Sequence, residues 1–178
     1  DVNLKGVWRC LKAEIPEMIE RGGGAIVNTS SVAGVSANGS AHYAASKHGV
    51  IGLTRRATVD YADDGIRFNA VCPGVIDTPM VQQAGEDNSE ELDRITAGIP
   101  AGRLGDPREI ADTVVWLCSE DASYVMGQPI IVDGGLLAQY LERLIGVIVQ
   151  PQPDQFDATL SIGVLLAASN SNSSLSLP

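Results

Sequence analysis

Residues 22–31, GGGAIVNTSS, decide how the chain is to be read. Three glycines stop whatever precedes them, because glycine tolerates the left-handed backbone on which helices commonly end. The apolar run A-I-V that follows lacks the polar alternation of a half-wet sheet, so it reads as a short buried strand. Upstream, Leu4, Val7, Leu11, Ile15, Met18 and Ile19 recur at intervals of three and four, which predicts an amphipathic helix over 4–20 with Pro16 as a kink point. Downstream, the small-residue loop GVSANGS (34–40) leads into a second helix from about Tyr43 to Tyr61, stopped by Gly65.

The same alternation continues. IRFNAVCPG (66–74) reads as a strand closed by Pro73 and Gly74, since proline donates nothing to a central ladder. Residues 77–106 are polar with little periodicity, and the expectation is a long loop holding at most one short helix. Asp106, Pro107 and Glu109 supply the N-cap, N1 and N3 residues of a helix start ahead of IADTVVWLC (110–118), and PIIVDGG (129–135) reads as a third strand. Strands separated by helices imply parallel crossovers and an α/β layered fold. From Leu136 the character changes: LLAQYLERLIGVIV (136–149) reads as one more amphipathic helix, while QPQPDQ (150–155) and SNSNSSLSLP (169–178) are linker-like. The expected organisation is one domain over 1–138 and a partly disordered extension over 139–178.

With 178 residues, 44% of them hydrophobic, the chain can build one real core. Its formal charge of −10 repels phosphate backbones and anionic lipid, which argues against nucleic acid and membrane surfaces as partners. Cys10, Cys72 and Cys118 are odd in number and far apart, with no C-x-x-C pair, so neither a disulfide framework nor a metal site is expected, and a cytoplasmic location is. No apolar run approaches the ~18 residues of a spanning helix.

In HYAASKHGVIGL (42–53), Tyr43 and Lys47 stand one helical turn apart. That spacing brings an ammonium toward a phenol. Free tyrosine is a poor proton acceptor at neutral pH, and a cation ~4–5 Å away favours the phenolate by around 3–4 kcal/mol at an effective dielectric of about 20. An oxidised nicotinamide ring would be a second such cation. Alone the motif is weak, since a packed tyrosine beside a solvated lysine is the plainer account. Ser30 and Ser31 strengthen it, because they end the strand AIVNTSS, where α/β folds place site residues. His42 and His48 suggest a hydrolase triad, but no G-x-S-x-G turn accompanies them.

Taken together, S-V-A-G (31–34), Y-A-A-S-K (43–47), N-A-V-C-P-G (69–74), I-D-T (76–78) and V-D-G-G (132–135) resemble the short-chain dehydrogenase/reductase family over residues 1–138. The resemblance implies a Rossmann-like doubly wound parallel sheet, present as its C-terminal half with about three strands. It implies an enzyme that interconverts a secondary alcohol and a ketone with NAD or NADP, acting on a small molecule and assembling as a homo-oligomer, a dimer or tetramer. Tyr43 would be the general acid/base, Lys47 would assist it and hold the nicotinamide ribose, and Ser31 would orient the substrate oxygen. Asn3 matches the helix asparagine that supports a water chain to the lysine, with a plain helix N-cap as the alternative. Pro73, Gly74, Ile76 and Thr78 match the segment that lies against the nicotinamide, the Ile76 backbone meeting its carboxamide.

The sequence departs from the family pattern at the serine interval and at the glycine-rich turn. Ser31 precedes Tyr43 by twelve residues where thirteen is the commoner interval; Ser30 would restore it, but Ser31 opens S-V-A-G and is preferred. No glycine-rich turn follows a strand to cradle a pyrophosphate, and the segment is expected to be N-terminally incomplete, so an inactive, self-associating domain is the alternative function. A sugar-nucleotide epimerase, which uses a similar tyrosine and lysine, fits the P-G and V-D-G-G markers less well.

Overall fold

The structure is a computed structural model and describes residues 2–139. The extension expected beyond Gln139, and all but the first turn of the helix expected over 136–149, lie outside the described residues.

The chain begins with a π-helical turn, Val2–Gly6, which runs into α1, Val7–Glu20. Leu11 and Ile15, one turn apart, are the residues α1 buries, and Val7 and Met18 pack on the same side. Ile19, which the spacing assigned to the apolar face, is 40% exposed. Pro16 sits inside the helix with its ring facing solvent. The helix ends in a Schellman motif: the Gly23 N–H donates to Met18 O and the Gly22 N–H to Ile19 O, with Gly22 at φ +86°.

Three strands follow the expected pattern: β1, Gly24–Thr29; β2, Ile66–Pro73; and β3, Pro129–Val132. They form one parallel sheet in the order β1-β2-β3, with Gly24 opposite Ile66 and Ala70 opposite Pro129. The central strand explains its own composition. Ile66, Phe68, Ala70 and Cys72 face the helices α1 and α2 (Ala41–Tyr61), packing with Leu11, Ile15, Ile51 and Ala57, and all four are fully buried. Burial of each large side chain contributes roughly 1.5–3 kcal/mol. Arg67, Asn69 and Val71 face the opposite layer. There Arg67 donates to the carbonyls of Leu117, Ser119 and Ala122, and so closes the C-terminus of α5, Pro107–Cys118. A buried polar strut fixes α2 on β1: Asn28 Nδ2 donates to Thr54 Oγ1 at 3.0 Å, and that hydroxyl donates to Val50 O.

The segment 77–106 differs from the expected loop. It carries two helices, α3 (Pro79–Asp87) and α4 (Ser89–Ala97). Local caps start both, since Thr78 Oγ1 accepts the Val81 N–H and Asn88 Oδ1 accepts the Glu91 N–H. Each is only nine residues long, and α4 buries no residue, so neither stands out from the polar segment that holds it. The start of α5, by contrast, is the expected capping box of Asp106 and Glu109 with Pro107 in the first turn.

Candidate active site

Parallel strands bring their carboxyl ends to one edge of the sheet, and the loops that leave this edge carry the singled-out residues. After β1 the two serines divide. Ser30 is 3% exposed; its hydroxyl donates to Lys47 O at 2.9 Å and its N–H to Val71 O at 2.8 Å. Ser31 is half-buried, and its Oγ accepts the Ala33 N–H at 3.2 Å, capping a single 3-10 turn, Val32–Gly34. Ser30 is therefore committed to holding the helix, while the proton of the Ser31 hydroxyl is left for another acceptor.

Lys47 completes a reciprocal clamp. Its carbonyl takes the Ser30 hydroxyl, and its ammonium donates to Thr29 O at 3.0 Å, so side chain and backbone of one residue both tie α2 to the end of β1. The ammonium lies 5.6 Å from the Tyr43 ring centroid, and Tyr43 is half-buried against Gly39. Gly34 is required by close approach: a Cβ there would stand 2.5 Å from Ser30 Oγ, 2.8 Å from Lys47 O and 3.0 Å from Ile51 Cδ1. The motif S-V-A-G is thus the turn that lets α2 reach the strand end.

Cys72, which sequence reasoning passed over, sits at the carboxyl end of β2 beside this clamp. Burial pushes its thiol up, while the neighbouring Ser30 side chain, the Ser31 backbone and the Lys47 charge act the other way. Asn3 is not drawn in: it lies exposed in the π-helical turn, and the Lys47 ammonium bonds to Thr29 instead. It is not the N-cap of α1 either, a position held by Gly6. Its neighbour Leu4 packs against Gly49 of α2. His42 and His48 are exposed and bond locally, to Ser40 and to Ala44 O.

After β2 comes the second group. The Gly74 N–H donates to Val132 O at 2.9 Å, which holds the exits of β2 and β3 together. Ile76 forms an isolated parallel bridge with Gly105, made by Asp77 N–H to Gly105 O (2.8 Å) and Gly105 N–H to Val75 O (3.0 Å). In such a bridge the N–H and C=O of Ile76 itself point to the other side. Among the described residues they have no hydrogen-bond partner, so they present one donor and one acceptor at the carboxyl edge. Thr78 accepts at the start of α3 and keeps its hydroxyl proton.

Residues 99–105 form a strap across the exits of β2 and β3. Ala101 N–H donates to Gly134 O at 3.0 Å, and a Cβ on Gly134, at φ +63°, would meet Ile99 Cγ2 at 2.8 Å and Ala101 Cβ at 3.1 Å. Asp133 caps the following turn, accepting the N–H groups of Gly135 and Leu137. The glycine pair of V-D-G-G thus serves the close passage of the strap. A cavity of about 60 Å³ beneath it, lined by Ile76, Ile99, Arg103 and Glu109 among others, is too small for a cofactor or substrate. A wide concavity of about 750 Å³ lies on the outer face of α1 and α2 around Trp8, Ser46 and Leu53. Among the described residues no cluster suited to a metal ion occurs, and no helix is long and apolar enough to cross a membrane.

Comparison with known proteins places this geometry. Residues 1–137 match the family described as enoyl-(acyl carrier protein) reductase. The chain is 46% identical over 135 residues to the cyclohexanol dehydrogenase of Acinetobacter sp. (strain SE19), covering 75% of this chain and 51% of that one. The structure of levodione reductase is similar with a TM-score of 0.73 and 41% identity, covering 78% of this chain and 56% of that one. An Agrobacterium tumefaciens structure with bound NADP is similar with a TM-score of 0.72 and 37% identity, covering 77% and 56%. The chain thus spans about half the length of the relatives it matches. Both the sequence match over residues 1–137 and the shared arrangement of strands and crossovers lead to one conclusion, that this chain belongs to the short-chain dehydrogenase/reductase family.

Proposed function

We propose that this chain carries the catalytic half of an oxidoreductase that interconverts a secondary alcohol and a ketone, with NAD or NADP as cofactor and Tyr43 as general acid/base. The observation that carries the reading is the clamp of Ser30, Thr29 and Lys47, which sets a lysine ammonium beside the Tyr43 ring at the carboxyl end of β1. The nicotinamide, when bound, accepts or supplies the hydride. In alcohol oxidation the Tyr43 oxygen takes the hydroxyl proton as the carbinol carbon gives up its hydride; in reduction it returns that proton to the carbonyl oxygen. Ser31 holds the substrate oxygen through its free hydroxyl proton. Lys47 stabilises the phenolate and bonds the nicotinamide ribose. Pro73, Gly74, Ile76 and Thr78 line the nicotinamide, Ile76 through its free backbone groups.

The test is Tyr43→Phe, which removes one oxygen. Turnover of a secondary-alcohol panel should fall by about 10²-fold or more with the thermal melt unchanged; a variant that keeps most of its rate refutes the acid/base role.

A second reading is favoured by the outer face of α1 and α2, where Trp8 is 45% exposed with the Lys12 ammonium over its ring. On that reading the chain associates with copies of itself, as a dimer or tetramer in the cytoplasm, and turns nothing over alone. Sedimentation together with a nicotinamide titration separates the two: an oligomer silent to nicotinamide supports the second.

A further inference from the structure

Residues 78–104 leave the sheet and return to it at the bridge between Ile76 and Gly105, with one further backbone bond from the Ala101 N–H to Gly134 O. Both α3 and α4 lie within this excursion. Three backbone hydrogen bonds are a thin attachment for a segment of this length. The reinforcement lies beside Gly105. Arg103 forks onto Glu109, with both guanidinium–carboxylate distances 2.8 Å, and its Nη1 also donates to Leu104 O at 3.0 Å. Glu109 Oε2 in turn accepts the Asp106 N–H at 2.7 Å. One carboxylate at the first turn of α5 thereby gathers the residues on both flanks of Gly105. The Ile76 side chain packs directly on Gly105, where a Cβ would stand 2.6 Å from Ile76 Cδ1.

We propose that Arg103 and Glu109 are positioning residues for the cofactor: they clamp both flanks of Gly105 and so fix the Ile76 backbone that meets the nicotinamide carboxamide. The inference rests on the redox reading above. Arg103 and Glu109 are 58% and 44% exposed at their side chains, so as an ion pair they add little global stability. Their work is local, on the geometry of the bridge.

Glu109→Gln separates the two roles of the carboxylate, since glutamine still serves as the N3 partner of the capping box but presents no charge to the guanidinium. Arg103→Lys removes the fork and keeps the charge. Two readouts are taken on the whole chain: amide hydrogen exchange at Asp77 and Gly105, and titration of nicotinamide mononucleotide followed by its ring-proton NMR signals. In both variants exchange at those two amides should quicken by about tenfold or more, while Phe68 and Val71 in β2 stay as in wild type. Nicotinamide mononucleotide should bind correspondingly more weakly. Unchanged exchange at Asp77 and Gly105, or quickened exchange with undiminished binding, overturns the proposal. A wild-type chain that gives no nicotinamide shift overturns the redox reading itself, an outcome distinct from wild type and variants binding equally well.

Discussion

Gly34→Ala tests the clamp most directly. The new methyl would lie 2.5 Å from Ser30 Oγ, 2.8 Å from Lys47 O and 3.0 Å from Ile51 Cδ1, and the second of these is helix backbone that cannot turn aside. Either α2 is pushed off the end of β1 or the Ser30 hydroxyl gives up Lys47. Overpacking of this kind costs about 1–3 kcal/mol, and loss of the Ser30–Lys47 bond adds about 0.5–1.5 kcal/mol. The total, about 1–4.5 kcal/mol according to which of the two gives way, should lower the urea midpoint by about 0.5–2 M at an m-value of ~2 kcal/mol/M. The decisive assay is a double-mutant cycle in urea. Ser30→Ala removes the nearest obstructing atom, so the double variant should be more stable than the sum of the single effects by about 0.5 kcal/mol or more. Strict additivity, or a Gly34→Ala protein as stable as wild type, would refute the claim that this turn is held by contact among Ser30, Gly34 and Lys47.

Three further outcomes are expected. Ser31→Ala should reduce turnover more than Ser30→Ala, with Ser30→Ala acting mainly on stability; a larger loss of rate at Ser30 reverses the assignment. Arg67→Met strips the carbonyls of Leu117, Ser119 and Ala122 of their shared donor; the thermal midpoint should drop by roughly 5–10 °C, corresponding to about 2–3 kcal/mol, and an unchanged melt would show those carbonyls satisfied by water. Arg103 and the Asp106 N–H lower the Glu109 carboxyl from 4.5 to about 2. A depressed folded-state value means that its contribution is complete above pH 4.5 and is lost as pH falls toward about 2. Urea midpoints between those limits should therefore fall more steeply in wild type than in Glu109→Gln, and parallel curves would exclude the linkage.

Much of the fold was legible because it is written in local chemistry. The run A-I-V after the glycines announced β1, Pro73 and Gly74 announced the end of β2, the glycines after Glu20 announced a helix end, and Asp106-Pro107-x-Glu109 announced α5 to the residue. The pair α3 and α4 escaped notice because each is only nine residues long, too short for a period to stand out from a polar segment, and each starts from a single local cap at Thr78 or Asn88. The candidate site was legible as a set of residue types, Ser, Tyr and Lys. Which serine is committed to the framework was not, since that depends on a bond from Ser30 to a carbonyl seventeen positions away.

By itself, then, the sequence determined the α/β class, the parallel order of its elements and the residues from which chemistry would be drawn, because hydrophobic period, caps and turn residues act within a few positions along the chain. Tertiary structure alone decided that Lys47 is held by its own backbone and side chain at once, that Asn3 stays outside the clamp, that the glycines of V-D-G-G make room for a strap, and that Arg103 and Glu109 flank the bridge at Ile76. The clamp on Lys47, the passage of the strap over Gly134 and the bridge of Ile76 to Gly105 all join segments remote in sequence. Their geometry exists only once β1, β2 and β3 have brought their carboxyl ends to the same edge.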